Sequence, residues 1–474
     1  MTTSTPTIGF APQVPLGALL RIVPEFRRDP LGTMRRARET WGDIVRFRVP
    51  WFTGYLVSDP ALIEEILVNR QASYSKKTPA YDVLRQMLGN GLITSEGSFW
   101  LRQRRIAQPA FHRQHIATLV EMMVGCGAAM LDRWQARVDD DAPFDMAREM
   151  RRVTLEIVGR ALLSIDVSAD AAGIDAALAV LNAQAMTRST QPWTLPLAVP
   201  TPMNVSFRAA KAVLDDLVKK TIVERRARGA PFSGEGGRID LLATVMGTVD
   251  DETGQRMDDQ QLHDEVMTLF LAGHDTTAAT MAWVLYLLAK APDIERRARD
   301  EVDAALGGRP PGLEDLPRLP LVDRIVKETL RLYPAIWMLG RVAEQRETLG
   351  GCVIDKGSFV FFSPYVVQRH ATYWPEPDRF DPDRFLGHGP DVPRYAYFPF
   401  SGGPRKCIGD TFALVEAQLL VALLLQRVEL TLVPGQDFEP DPTITIKPKG
   451  PVMMTARARP GSRAPRPLGV GRRA

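Results

Sequence analysis

The chain has 474 residues, 45% of them hydrophobic and 24% charged, the make-up of a globular protein able to bury a sizeable core as two or three ordinary domains or one large one. Its net charge of +3 is small for this length, and no basic stripe with interleaved aromatics marks a nucleic-acid face. The cysteines are Cys126, Cys352 and Cys407; an odd, sparse set without a CxxC pair points to a reducing compartment rather than a disulfide framework.

Residues 1–28 hold no apolar run of membrane-spanning length and no charged-then-apolar leader pattern. Segment 1–29 is therefore expected to wrap the surface of a soluble, cytoplasmic protein without a membrane anchor. A helix is expected from Leu31 to Thr40, and the alternation in Asp43–Val49 and Phe52–Ser58 reads as a hairpin. Asp59-Pro60 is an N-cap followed by proline and opens a helix to Asn69. Residues 70–97 give mixed signals. Trp100 and Arg104, four apart, share one helix face; alone, the pair reads as a core aromatic beside a solvated cation. Residues 114–190 carry Ala, Leu and Met at helical spacing. Pro192, Pro196, Pro200 and Pro202 break that pattern before a helix from Ser206 to Arg228, and Gly229–Gly237 reads as a flexible link.

Asp258 or Asp259 caps a helix that reaches Lys290, about 45 Å at 1.5 Å per residue. It is apolar around much of its surface, which calls for burial. Midway lies Ala272-Gly273-His274-Asp275-Thr276-Thr277, rich in poor helix formers. Either a boundary falls there or one helix is distorted; the apolar period continuing through Met281, Trp283, Leu285 and Leu288 favours one helix with a local opening. Asp323–Tyr333 is helical, with Glu328 and Arg331 on one face, a pair that alone reads as solvated. The apolar run Ala335–Leu339, with Trp337, Met338 and Leu339, precedes Gly340-Arg341. Val353–Ser363 alternates as a strand. Pro382-Asp383-Arg384-Phe385 follows Trp374-Pro375. Thr443–Ile446 and Val452–Ala456 flank Lys447–Pro451 and read as a hairpin. Residues 457–474, rich in Arg, Pro and Gly, read as a disordered tail.

The densest stretch is Phe400-Ser401-Gly402-Gly403-Pro404-Arg405-Lys406-Cys407-Ile408-Gly409. A turn-forming run leads to Cys407, and an apolar helix-forming segment, Asp410 to Leu425, follows. A lone cysteine is most often a small buried hydrophobe. Here the free N–H groups of a helix start, with Arg405 and Lys406, favour its thiolate. Gly403 and Gly409 leave the backbone open to a flat ligand, and Phe400 supplies an apolar wall.

The spacing Phe-x-x-Gly-x-Arg-x-Cys-x-Gly resembles the haem-binding signature of cytochromes P450, matched at every position. The resemblance, which spans about residues 30–456, implies a mainly α fold with a smaller β region, a single large domain around one haem b (iron protoporphyrin IX). Cys407 becomes the axial thiolate, a ligand that pushes electron density onto iron and favours O–O cleavage. Arg405, Trp100, Arg104 and Arg341 become partners of the haem propionates, with Phe400 and Gly409 beside the ring. Ala272–Thr277 resembles the family's oxygen-activation motif: Gly273, next to Ala272, leaves room for dioxygen, Thr276 donates a hydrogen bond to the bound oxygen, and Asp275 relays protons through water. His274 receives no role. Glu328, Arg331 and Arg384 become a buried structural network, with Asp383 where Glu is commoner. Trp337, Met338 and Leu339 line the substrate pocket, and residues 70–97 roof it. Arg102, Arg105 and Arg113 offer a basic face to an acidic electron donor.

The implied activity is a monooxygenase that hydroxylates or epoxidises an apolar small molecule, with a fatty acid as one candidate. Terpenoids, steroids and macrolides are others. Electrons come from a separate ferredoxin or flavodoxin with its reductase, because no flavin domain is fused, and the protein is expected to be a monomer. The rivals are a haem-thiolate peroxygenase or isomerase, which often lacks the acid–threonine pair, and a non-catalytic haem sensor.

Overall fold

The computed structural model describes residues 11–49, 52–167, 170–190, 194–228, 240–387 and 391–459. Its organising element is the helix Asp259–Lys290. Asp258 starts it with a full capping box: its carboxylate accepts from the Gln261 N–H at 2.8 Å, and the Gln261 side chain accepts from the Asp258 N–H. The helix is unbroken through Ala272–Thr277, so the local opening expected there is absent. Its apolar residues, among them Met281, Trp283, Val284 and Leu285, are buried.

Around it pack the helices Arg113–Asp140, Met146–Leu163, Pro320–Leu332 and Asp410–Arg427. One core cluster joins them, including Met123, Met150, Val284, Val326 and Leu420. Among the described residues one helical stretch, Arg113–Gln135, is long and apolar enough to cross a membrane; half of it is buried inside the protein.

The β structure is small and peripheral. The expected first hairpin forms, Ile44–Val49 against Phe52–Val57, and joins Phe359–Phe362, Leu339–Ala343 and Tyr74–Ser75 in a five-stranded sheet. The expectation of one strand over Val353–Ser363 is corrected: Cys352–Ile354 and Phe359–Phe362 belong to different sheets, parted at Gly357, whose φ of +81° suits glycine.

The C-terminal hairpin is re-registered. Pro440–Pro442 pairs with Ile446–Pro448, so the tip is Thr443–Thr445. Met453–Ala458 pairs instead with Val428–Leu432 and Phe144–Asp145. Alternation marks strands but does not choose partners. That last strand also takes in Arg457 and Ala458, and residues 460–474 of the expected tail lie outside the described residues, as does the Gly229–Gly237 link.

Of the expected surface segment, residues 1–10 lie outside the described residues, and residues 11–28 do more than wrap the surface. Leu16–Arg28 is a helix with Pro24 inside it. Leu19 is buried and Ile22 and Phe26 pack into the core beneath, while Leu16, Leu20 and Val23 stay exposed. Proline is unfavourable inside a helix, and tertiary packing overrides that preference here. The helix after the Pro-rich segment starts at Pro202, using that proline in its first turn.

Candidate active site

A cavity of about 870 Å³ lies against the long helix. It is lined by Phe400, Arg405, Cys407 and Gly409 from the cysteine loop, by Ala272, Gly273, Asp275 and Thr276 from the long helix, by Trp337, Met338 and Leu339, and by the hairpin tip Thr443–Thr445. Four separated stretches of sequence thus meet at one space. Lining by Leu88, Leu92 and Ile93 puts the 70–97 region at the pocket as expected.

The loop before Cys407 is fixed by close packing. Gly403 has φ +63°, and a Cβ there would lie 1.9 Å from the Leu67 carbonyl oxygen, so only glycine fits. This corrects the expectation that Gly403 clears space for a ligand: the backbone of Leu67 uses that space. Gly409 does stay open; a Cβ there would meet nothing nearer than the Phe111 ring at 3.7 Å. The Cys407 N–H donates to the Phe400 carbonyl at 3.0 Å.

Cys407 has exposed surface, but that surface faces the cavity, and protein encloses it. Burial pushes its thiol up, while the Gly409 N–H and the charges of Arg104 and Lys406 pull it down by less. The expectation that helix start and cations favour the thiolate is therefore corrected in its net sign; desolvation of the anion outweighs them.

Cations crowd another part of the wall. Lys76, Trp100, Arg104 and Arg405 line the cavity, and buried Arg341 stands close behind, near enough to act on Lys76 and Arg405. The Arg405 guanidinium lies 3.7 Å from the Trp100 ring centroid. It donates to the Ser95 carbonyl at 2.9 Å and meets Glu96 at 3.2 Å. Arg104 donates to the Lys406 carbonyl at 3.0 Å, and Lys76 to the Ile93 carbonyl at 3.1 Å. Arg341 donates to the Gly340 carbonyl at 2.8 Å.

Among the described residues Glu96 is the only carboxylate ion-paired with any of these four cations. Burial, then the charges of Arg341 and Arg405, hold the Lys76 ammonium well below its usual range. Burial brings Arg405 down to about 10. Lys76 was not singled out in the sequence, where nothing local tells it from its neighbour; only the fold separates buried Lys76 from exposed Lys77, which pairs with Glu344.

On the long helix the Thr276 hydroxyl donates to the Ala272 carbonyl at 2.6 Å. Asp275 accepts from the Thr445 hydroxyl at 2.7 Å, a partner 170 residues away that the sequence did not single out. Gly273 lines the cavity, but its missing Cβ would meet the Val158 side chain at 3.0 Å, so glycine here also serves helix packing. His274 is buried with Nε2 at 3.0 Å from the Arg151 carbonyl, consistent with its having no role in the cavity.

Behind the cysteine loop, Glu328 and Arg331 are fully buried and paired at 2.7 and 2.8 Å. Arg384 approaches Glu328 at 3.4 Å and donates to the Pro375 and Glu376 carbonyls. Asp383 turns outward to Arg297 at 2.9 Å, so its substitution for Glu leaves the network intact. Of the basic face expected of Arg102, Arg105 and Arg113, Arg105 is charge-paired with Asp250 and Glu252, Arg102 donates to the neutral Gln255 amide, and Arg113 is exposed.

The cytochrome P450 family model matches residues 12–455. The chain belongs to the cytochrome P450 family. This P450 is 38% identical over 420 residues to cyclooctatin synthase of Streptomyces melanosporofaciens, covering 88% of this chain and 89% of the relative. It is 35% identical over 427 residues to pentalenene oxygenase of Streptomyces avermitilis, covering 89% and 91%. The crystal structure of the cytochrome P450DA haem domain superposes with a TM-score of 0.86 at 28% identity, over 96% of this chain and 99% of that one. The mainly helical single domain is thus that of a P450, and the protein is a P450 monooxygenase of a bacterial type. The family implies a haem-thiolate cofactor.

Proposed function

We propose that this P450 oxygenates a cyclic, terpenoid-like molecule held in the 870 Å³ cavity. The observation that carries this reading is one apolar space onto which a thiol, an acid–hydroxyl pair and a cluster of under-compensated cations all open. The residues fit haem b. A dianionic ring would relieve the repulsion among Lys76, Arg104, Arg341 and Arg405, and Cys407 is the one thiol among the described lining residues. In this reading Cys407 would ligate the iron through its thiolate, the four cations and Trp100 would hold the propionates, and Phe400, Gly409, Ala272 and Gly273 would border the ring. When bound, the haem supplies oxygen activation.

The chain's own residues handle protons. Asp275 Oδ2, steadied by Thr445, takes protons from solvent and passes them through water towards Thr276 Oγ1, which leaves the Ala272 carbonyl to donate into the cavity. One oxygen atom enters a C–H or C=C bond of the substrate and the other leaves as water, consuming two electrons and two protons. A separate ferredoxin or flavodoxin with its reductase supplies the electrons, in the cytoplasm.

The substrate class rests on Trp337, Met338, Leu339 and other apolar lining, together with relatives named for pentalenene and cyclooctat-9-en-7-ol. A second reading, a fatty acid, is favoured by Arg27 and Arg48. Both are exposed, line the cavity and lack an ion-pair partner among the described residues. Titrating haem-loaded protein with cyclic terpenes and with palmitate, read by spin-state shift, separates the two. Loss of the red-shifted Soret band of the ferrous carbon monoxide adduct in Cys407→Ala tests the ligand, and its persistence would remove the basis of the whole reading.

A further inference from the structure

The helix Ala171–Thr190 turns one face to the cavity. Leu178, Asn182, Ala185 and Met186 on that face line it at helical spacing. Three of these side chains are apolar, and one is an amide. Asn182 is 7% exposed, and its side chain has no hydrogen-bond partner among the described residues, although most buried amides have one. Among the described residues it is the only Asn or Gln in the cavity wall.

Thr276 and Thr280 return their hydroxyls to carbonyls four residues back. Thr268 differs, its Oγ1 lying against the Gly91 backbone with no surface of its own in the cavity.

We infer that the substrate already carries an oxygen function, a hydroxyl or a carbonyl, and that Asn182 is the specificity-determining residue that holds it. This rests on the terpenoid reading above and deepens it. A pure hydrocarbon filling the cavity would strip water from the amide and return nothing, whereas an oxygenated ligand satisfies it. A site built to hydrogen-bond its substrate discriminates against the analogue lacking the group because its own polar atoms are left dry. The reaction therefore stands late in its sequence. An earlier hydroxylation, or a cyclisation terminated by water, supplies an alcohol, and this enzyme adds a second oxygen elsewhere on the ring system.

The test is equilibrium binding, without turnover, to the haem-loaded wild type, Asn182→Leu and Asn182→Ala. Two ligand pairs serve: cedrene with cedrol, and abietadiene with abietadienol. Binding is read by spin-state shift and by equilibrium dialysis, and thermal melts confirm that each variant is folded. We expect the wild type to bind at least one alcohol roughly tenfold or more tightly than its hydrocarbon, and both variants to lose that preference while holding the hydrocarbon as well or better. Equal binding of alcohol and hydrocarbon by the wild type, or an alcohol preference that survives in both variants, overturns the role of Asn182 and leaves the terpenoid reading standing. Binding of palmitate with no binding of any of the four terpenoids overturns both.

Discussion

Arg331 grips Glu328 through two parallel hydrogen bonds, 2.7 and 2.8 Å long, where neither side chain has any solvent exposure. The same guanidinium donates to the carbonyls of Gln368, Pro377 and Arg379, while Glu328 also accepts from the Asp381 N–H. One ion pair thus ties the Pro320–Leu332 helix to the segment that precedes the cysteine loop. Removing the carboxylate strands a buried cation, at a cost of about 3–5 kcal/mol. Glu328→Ala should lose that much stability in urea unfolding, and Glu328→Gln, which also removes the charge but keeps one acceptor oxygen, should recover only part of the loss. Equal stability of Glu328→Ala and the wild type would show that the pair is not structural.

Lys76 gives a prediction with two signs. Without haem it is a buried cation beside Arg341 and Arg405, so Lys76→Met should stabilise the apoprotein. With haem it loses a charge-assisted contact, at about 1.5–3 kcal/mol. Haem transfer from the variant to apomyoglobin should then be roughly tenfold faster or more. Arg405→Leu should share the second effect. Unchanged transfer in both variants would place the propionates elsewhere.

Asp275 and Thr445 couple the long helix to the hairpin tip through one 2.7 Å bond. Thr276→Ala should uncouple electron use from product, with peroxide rising at the expense of product by roughly an order of magnitude or more. Thr445→Val should do so more mildly, by releasing Asp275. The ratio of product formed to reduced nicotinamide consumed measures both, and full coupling in Thr276→Ala refutes its role.

Glu265, one turn before the cavity-lining stretch of the long helix, accepts from the Leu92 N–H at 3.1 Å, and burial pushes its carboxyl up to about 8. Between the ordinary carboxyl range and pH 8 the folded protein holds a proton that the unfolded chain has released. Stability from this group is therefore complete in acid and declines, by about 1.4 kcal/mol per pH unit, as pH rises towards 8, beyond which the slope vanishes. Glu265→Gln should flatten that slope in unfolding midpoints taken from pH 5 to 8. A slope unchanged in the variant assigns it to another group.

Local chemistry in the chain was enough to mark Cys407 and its loop, the capped helix from Asp258, the Ile44–Val57 hairpin and the Glu328–Arg331 spacing. Each is a short-range pattern whose physical cause lies within a few residues. Position in space was not legible in that way. The sequence does not tell a buried Lys76 from a solvated one; the fold buries it, and the charge of Arg341, 265 residues on, adds to the effect. Thr445 meets Asp275 only because Pro440–Pro442 pairs with Ile446–Pro448, a register that alternation cannot select. The sign of the shift at Cys407 belongs to tertiary structure as well: a helix start and two cations are local, but the desolvation that outweighs them exists only once distant elements enclose the sulfur.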